Sequence, residues 1–100
     1  MNEKRMSAFY FGAHDIQDRE RFEEYLAQVV PMIEKFGGRY LTKGSSHEVL
    51  EGDWRPERAV VIQFPDMSAL KAWYHSPEYQ PLIALRRSAA KDVMIALEGL

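Results

Sequence analysis

Cysteine is absent from the 100 residues, which removes disulfides, thiolate nucleophiles and thiolate metal sites together and agrees with a reducing compartment. Basic residues do not dominate either. Lys and Arg number 13 against 15 Asp and Glu, for a formal net charge of −2, and no block of them forms the stripe that phosphate contacts need, so nucleic acid is not an expected partner. Glycine is sparse, with 6 residues, and no Gly-rich phosphate loop, nucleophile elbow or Ser/His/Asp pattern occurs. The three histidines, His14, His47 and His75, stand 33 and 28 residues apart. That is not the paired spacing of a metal site, so neither a metal nor another cofactor is expected. The start, Met1-Asn2-Glu3-Lys4-Arg5, is charged, and the apolar run after it ends at His14-Asp15, too soon for a signal peptide. The chain reads as cytoplasmic, with no membrane partner, residues 1–6 as a disordered tail and residues 7–100 as one domain.

What is present is an ordinary globular composition, 46% hydrophobic and 28% charged. A chain this short has limited surface to bury and gains much from a partner.

Ser7 to His14, rich in aromatics and too short for a stable helix, reads as the first strand, before a turn over Asp15 to Asp18. Period two puts Phe9, Phe11 and Ala13 on one face and Tyr10, Gly12 and His14 on the other. Asp18 can cap a helix to about Phe36, with Phe22, Tyr25, Leu26, Val29 and Ile33 on one stripe, a kink expected at Pro31 and a left-handed cap at Gly37-Gly38. Arg39 to Lys43 reads as a strand, Gly44-Ser45-Ser46 as a turn, and His47 to Leu50 as a short strand or arm. Ala59 to Phe64 is the strongest strand. A helix from Pro65-Asp66 ends near His75, and Ser76-Pro77-Glu78 looks like a new start leading to about Ala90, with Pro81 calling for a kink or a later true start. Asp92 to Glu98 is the last strand.

This order gives an α+β fold of the ferredoxin-like βαββαβ type, a four-stranded antiparallel sheet with its helices on one face. The other face would present Tyr10, Val61, Met94 and Ala96, more apolar surface than a monomer ordinarily leaves bare, so a second copy is expected to cover it as a homodimer.

Three stretches then carry a resemblance. Gly37-Gly38-Arg39-Tyr40-Leu41, Trp54-Arg55-Pro56-Glu57-Arg58 running on to Phe64, and Trp73-Tyr74 with Ser76-Pro77-Glu78-Tyr79-Gln80 and Arg86 resemble the small bacterial proteins of domain of unknown function 1330. The likeness implies a dimeric α/β barrel, with a small-molecule ligand between sheet and helices. Reactions known in that superfamily, cofactor-independent monooxygenation and isomerisation among them, are the activities it implies; haem degradation is not, because the first strand lacks the Asn of those enzymes.

The elbow between the two later helices gathers Trp73, Tyr74 and Tyr79 near Arg86. These aromatics suit the wall of a pocket for an anionic or aromatic metabolite, though aromatics at helical spacing are more often plain core. Arg86, if it faces inward, needs an acceptor: a substrate carboxylate or enolate, or a protein carboxylate such as Glu78 or Asp66, which would remove the main electrophile. Arg39 and Arg58 flank strands and could anchor an anion, or lie solvated or paired with Glu57. His14 and His75 are the histidines placed for proton transfer, and each alone is more often structural. The alternative to an enzyme is a non-catalytic ligand-binding or interaction dimer in which the same groups close the core.

Overall fold

The computed structural model describes residues 7–42, 44 and 46–100, so the tail expected over residues 1–6 lies outside the described residues. The elements run β1 (Ala8–Ile16), α1 (Arg19–Lys35), β2 (Arg39–Tyr40), β3 (Arg58–Phe64), α2 (Met67–Tyr74), α3 (Gln80–Ala89) and β4 (Ala90–Glu98). The sheet has the order β2-β3-β1-β4, with every neighbouring pair antiparallel. This is the ferredoxin-like arrangement, with its second helix divided in two. No helix among the described residues is long and apolar enough to cross a membrane.

Local chemistry sets the element ends. The Asp18 carboxylate accepts from the N–H of Arg21 and starts α1; Gly37 closes it at φ 88°, in the left-handed region where a side chain would be strained. β1 runs past the expected turn to Ile16, because Asp15 and Ile16 still pair with Lys91 and Ala90 of β4. β2 is shorter than expected. After Leu41 N–H meets the Val61 carbonyl, the Thr42 hydroxyl accepts from Val61 N–H in place of a backbone carbonyl and the ladder stops. His47 to Leu50 forms no strand. At the elbow Ser76 does cap, accepting from Tyr79 N–H, but the residues between are a turn and α3 begins at Gln80. Pro81 thereby falls in the first turn, where a missing N–H costs nothing. The Gln80 amide reaches back to the carbonyls of Tyr74 and Ser76, serving the end that α2 leaves open.

The register corrects the expected faces. Tyr10 stands opposite Ile62 and Ala96, and Gly12 opposite Val60 and Met94. Directly opposed residues project to the same side, and Val60, Ile62 and Phe64 are buried. Tyr10, Met94 and Ala96 therefore face the helices, and of the four residues expected on the bare face only Val61 lies there. Period two fixes parity within a strand, and both faces of β1 are aromatic, so the choice of face waited on the pairing. The bare face carries Phe9, Phe11, Val61, Val93, Ile95 and Leu97, the last three about half exposed. Trp54 packs edge-on against Phe11 there, centroids 6.0 Å apart, and is itself half exposed.

Under the helices, Trp73 is fully buried. It meets Tyr10 edge-on at 5.0 Å, stacks on Phe64 at 5.5 Å and lies 4.4 Å from Tyr79. Gly38 closes the same region: a Cβ there would stand 2.8 Å from the Phe64 ring and 2.9 Å from Ile33. Gly38→Ala is expected to cost about 1–3 kcal/mol of stability through overpacking. Urea unfolding measures it, and an unchanged midpoint would mean that the Phe64 ring yields freely.

Candidate functional site

Three strands place polar residues side by side on the helix face. His14 of β1 stands opposite Arg58 of β3 on one side and Asp92 of β4 on the other. His14 Nδ1 lies 2.6 Å from Asp92 Oδ1, and Arg86 of α3 donates from Nη1 to Asp92 Oδ2 at 2.9 Å. All three are sealed from solvent: side-chain exposure is 3%, 4% and 1% for His14, Asp92 and Arg86. One carboxylate thus serves both a histidine and an arginine.

The electrostatics follow from this sharing. Burial would raise the Asp92 pKa, but the hydrogen bonds from His14 and Arg86 and the Arg86 charge hold it below the ordinary 3.8. Asp92 is therefore an anion and accepts from Nδ1–H. In the neutral ring Nε2 is then left as an acceptor, the arrangement of a general base. Burial would lower the Arg86 pKa, but the phenols of Tyr79, Tyr10 and Tyr25 raise it above the usual arginine value. Its Nε and Nη2 have no hydrogen-bond partner among the described residues.

Beside this row lies an interior cavity lined by Tyr10, His14, Tyr25, Tyr40, Arg58 and Trp73, with aliphatic residues closing the rest. Its volume is about 10 Å³, room for a single water or one oxygen atom. The Tyr10 hydroxyl and Trp73 Nε1 are buried without a partner among the described residues, while the Tyr25 and Tyr79 hydroxyls bond each other at 2.7 Å. Burial pushes the phenols of Tyr10 and Tyr25 well above 10 and that of Tyr40 up to about 12, so all three keep their protons at neutral pH. Arg58 lies over the Phe22 ring at 5.4 Å, and no carboxylate among the described residues meets it. Burial lowers its pKa, yet a guanidinium stays charged. The pairing of Arg58 with Glu57, one of the alternatives the sequence left open, does not form; Glu57 instead holds Arg19 at 2.7 Å and the Ile16 N–H.

The sequence-derived candidates divide accordingly. His14, Arg58, Arg86, Trp73 and Tyr79 come together. Arg86 is met by a carboxylate, as one reading allowed, but by Asp92; Glu78 pairs with Lys35 and Asp66 caps α2. Tyr74 and His75 lie apart from His14, on a second, larger pocket of about 250 Å³ formed with Tyr10, Leu70, Lys71, Met94, Ile95 and Ala96. Arg39 is far from both. It bonds the Gln63 amide at 3.2 Å, opposite it on β3, and Gln63 alternates with core-facing Ile62 and Phe64. Sequence reasoning missed Asp92, which looked like the first residue of a strand; its spacing of six from Arg86 across a helix end was the available signal. Among the described residues no group of three or more His, Asp or Glu side chains is gathered for a metal ion.

A family model described as "Domain of unknown function (DUF1330)" matches residues 7–100. No curated protein matches the chain. Among solved structures, the RPA0582 protein of unknown function from Rhodopseudomonas palustris is similar, with a TM-score of 0.80 at 18% identity over 99% of this chain and 86% of that one. A dimeric ferredoxin-like protein of unknown function from Jannaschia sp. CCS1 gives 0.73 at 14% identity over 93% and 99%. SnoaB, a cofactor-independent oxygenase from Streptomyces nogalater, gives 0.58 at 10% identity over 95% and 92%. Identities this low establish the fold alone.

Asp92→Asn should lower stability by about 3–5 kcal/mol, because it leaves Arg86 buried without its anion. The pH dependence has a definite sign. A carboxyl whose folded pKa is depressed stabilises fully above its unfolded value, here 3.8, and the contribution is lost as pH falls through the folded value. Urea unfolding of both proteins should therefore show a gap that is full at pH 6 and shrinks below about pH 3.8. A gap that widens in acid would contradict the assignment.

Proposed function

The chain belongs to the domain of unknown function (DUF1330) family, and from that premise we propose that it is a homodimer acting on a small molecule, with His14 as general base. The carrying observation is the 2.6 Å contact of His14 Nδ1 with Asp92, itself fixed by Arg86, which leaves Nε2 free to take a proton. The proton leaves a C–H or O–H beside a carbonyl or ring. The charge appears on oxygen, and the water-sized cavity supplies what that oxygen needs: the Arg58 charge and protonated phenols of Tyr10, Tyr25 and Tyr40. Return of the proton to a neighbouring carbon completes an isomerisation. The same carbanion meeting dioxygen would enter the cofactor-independent oxygenation carried out by the Streptomyces neighbour.

Arg86 has a different role here from the one the sequence suggested. Neutralised by Asp92, it is a positioning residue, and Arg58 takes the part of the electrophile. That neutralisation also favours a second reading, a ligand-binding dimer without chemistry, in which the buried row only locks the fold.

The dimer rests on the bare sheet face. Phe9, Phe11, Val61, Val93, Ile95, Leu97 and Trp54 form one apolar surface, and the Jannaschia neighbour, of like fold, is dimeric. A second copy packed sheet to sheet would cover it.

Two measurements test these statements. Proton abstraction is read by NMR as deuterium uptake in D2O by a panel of single-ring keto acids and hydroxyaromatic acids. Uptake is expected to fall about 100-fold or more in His14→Gln, whereas binding with no uptake in any wild-type trial would favour the non-catalytic dimer. Sedimentation at micromolar concentration should return twice the chain mass, and Ile95→Asp should return the chain mass with the helices intact. A wild-type monomer would remove the dimer from the proposal.

A further inference from the structure

The connection between β2 and β3 has no role in the site described above. It runs over residues 41–57 and contains no helix or strand among the described residues, whereas structureless loops longer than about 12–15 residues are uncommon and usually functional. Its base is fastened. Trp54 packs on Phe11 of the bare face, Pro56 is buried, and Glu57 accepts from the Ile16 N–H while its own N–H donates to the Asp15 carboxylate. Its tip is not fastened. Residues 46–53 are exposed or half-buried throughout, and Leu50 among them is 85% exposed. Glu48, Glu51 and Asp53 surround that leucine, and none of them is ion-paired among the described residues.

A receptor of matching character lies at the other side of the sheet. β4 has no strand along its outer edge, and against it, under α2, is the pocket of about 250 Å³. Leu70, Tyr74, Met94 and Ala96 make its wall apolar, and Lys71 borders it with no carboxylate partner among the described residues. A dry apolar cavity of about 150 Å³ takes benzene. A leucine side chain is smaller, so this pocket has room for Leu50 and part of its neighbour Val49. The pocket is continuous with the bare face, because Ile95 belongs to both.

Within one chain the arm and the pocket do not meet: the arm joins β2 to β3, and the pocket lies against β4. In a dimer packed sheet to sheet they can. A half-turn about an axis parallel to the strands reverses the order β2-β3-β1-β4, so each copy's β2–β3 side comes over the partner's β4. We infer that residues 46–55 form an intersubunit arm, with Leu50 of each copy seated in the other copy's pocket under α2 and Glu48 and Glu51 beside the partner's Lys71. This rests on the homodimer reading and adds how the two copies grip each other. The charges also select the axis. A half-turn perpendicular to the strands would set β4 over β4 and leave both the arm and Lys71 unmatched.

The chain has no cysteine, so introduced thiols report on this contact alone. Leu50→Cys and Ala96→Cys are purified separately, mixed at micromolar concentration until subunits exchange, and oxidised with copper phenanthroline. The expected product is a disulfide-linked pair with one chain of each variant, resolved by mass spectrometry, and little linkage in either variant alone. No mixed pair, or as much linkage in a single variant, would overturn the inference. Sedimentation supplies a second measure. Leu50→Ala should raise the dimer dissociation constant about 100-fold, because each copy loses a seated leucine; since Leu50 is exposed in the single chain, the fold is left intact. Lys71→Glu should raise the constant about ten-fold at low salt. An unchanged constant in Leu50→Ala would overturn the arm, and in Lys71→Glu the charge match. The two readings fail separately. A wild-type monomer would sink dimer and arm together, whereas a dimer that Ile95→Asp breaks, with no mixed pair and no effect of Leu50→Ala, would keep the dimer and sink the arm.

Discussion

The Asp92 carboxylate is the contact on which the arrangement depends. It ties the central strand β1, through His14, to the edge strand β4 and to helix α3, through Arg86. A buried anion with one cationic partner is a poor investment for stability alone, since desolvation consumes much of the attraction. With two partners both oxygens are satisfied, and the geometry of three elements is fixed at once. The histidine ring gains an orientation that it would not hold by packing. Its one strong bond leaves its other nitrogen without a protein partner, packed 3.4 Å from where a Gly12 side chain would begin.

Much of the fold was legible in the sequence because it is written in local chemistry. Asp18, Gly37 and Asp66 mark helix ends by capping, and Ala59 to Phe64 is too β-branched and apolar to be anything but a central strand. Pro81 foretold a late start for α3, and it lies in the first turn. What could not be read was set by partners far along the chain. The face on which Tyr10 lies depends on its register with Ile62 and Ala96. The partner of Arg86 depends on where β4 begins. Two carboxylates close in sequence, Glu78 and Asp66, looked equally able to meet that arginine; one was occupied by Lys35 and the other by a helix cap. The long segment after β2 gave little to read, lacking both alternation and helical period.

The candidate site was legible in its residue types more than in its assembly. His14, Arg58 and Arg86 are residue types suited to proton transfer or anion binding, each at the edge of an apolar run. Their meeting is a matter of cross-strand register: Arg58, His14 and Asp92 form one row because three strands are paired at those positions. The two faces of the sheet thus divide the labour. The helix face gathers the polar row and the oxygen-sized cavity, while the bare face carries Phe11 and Trp54.

Helix α3 ends at Ala89 and strand β4 begins at Ala90, with no loop between them. Arg86 and Asp92 are six residues apart in the chain, so the corner can close their ion pair with little loss of chain entropy and before any long-range pairing exists. At that stage the pair is still wet and contributes little. It becomes a buried clamp only when β1 docks and brings His14 against Asp92 from 78 residues away in sequence. The corner is thus assembled early, and its electrostatics are switched on late, by the strand that carries the base.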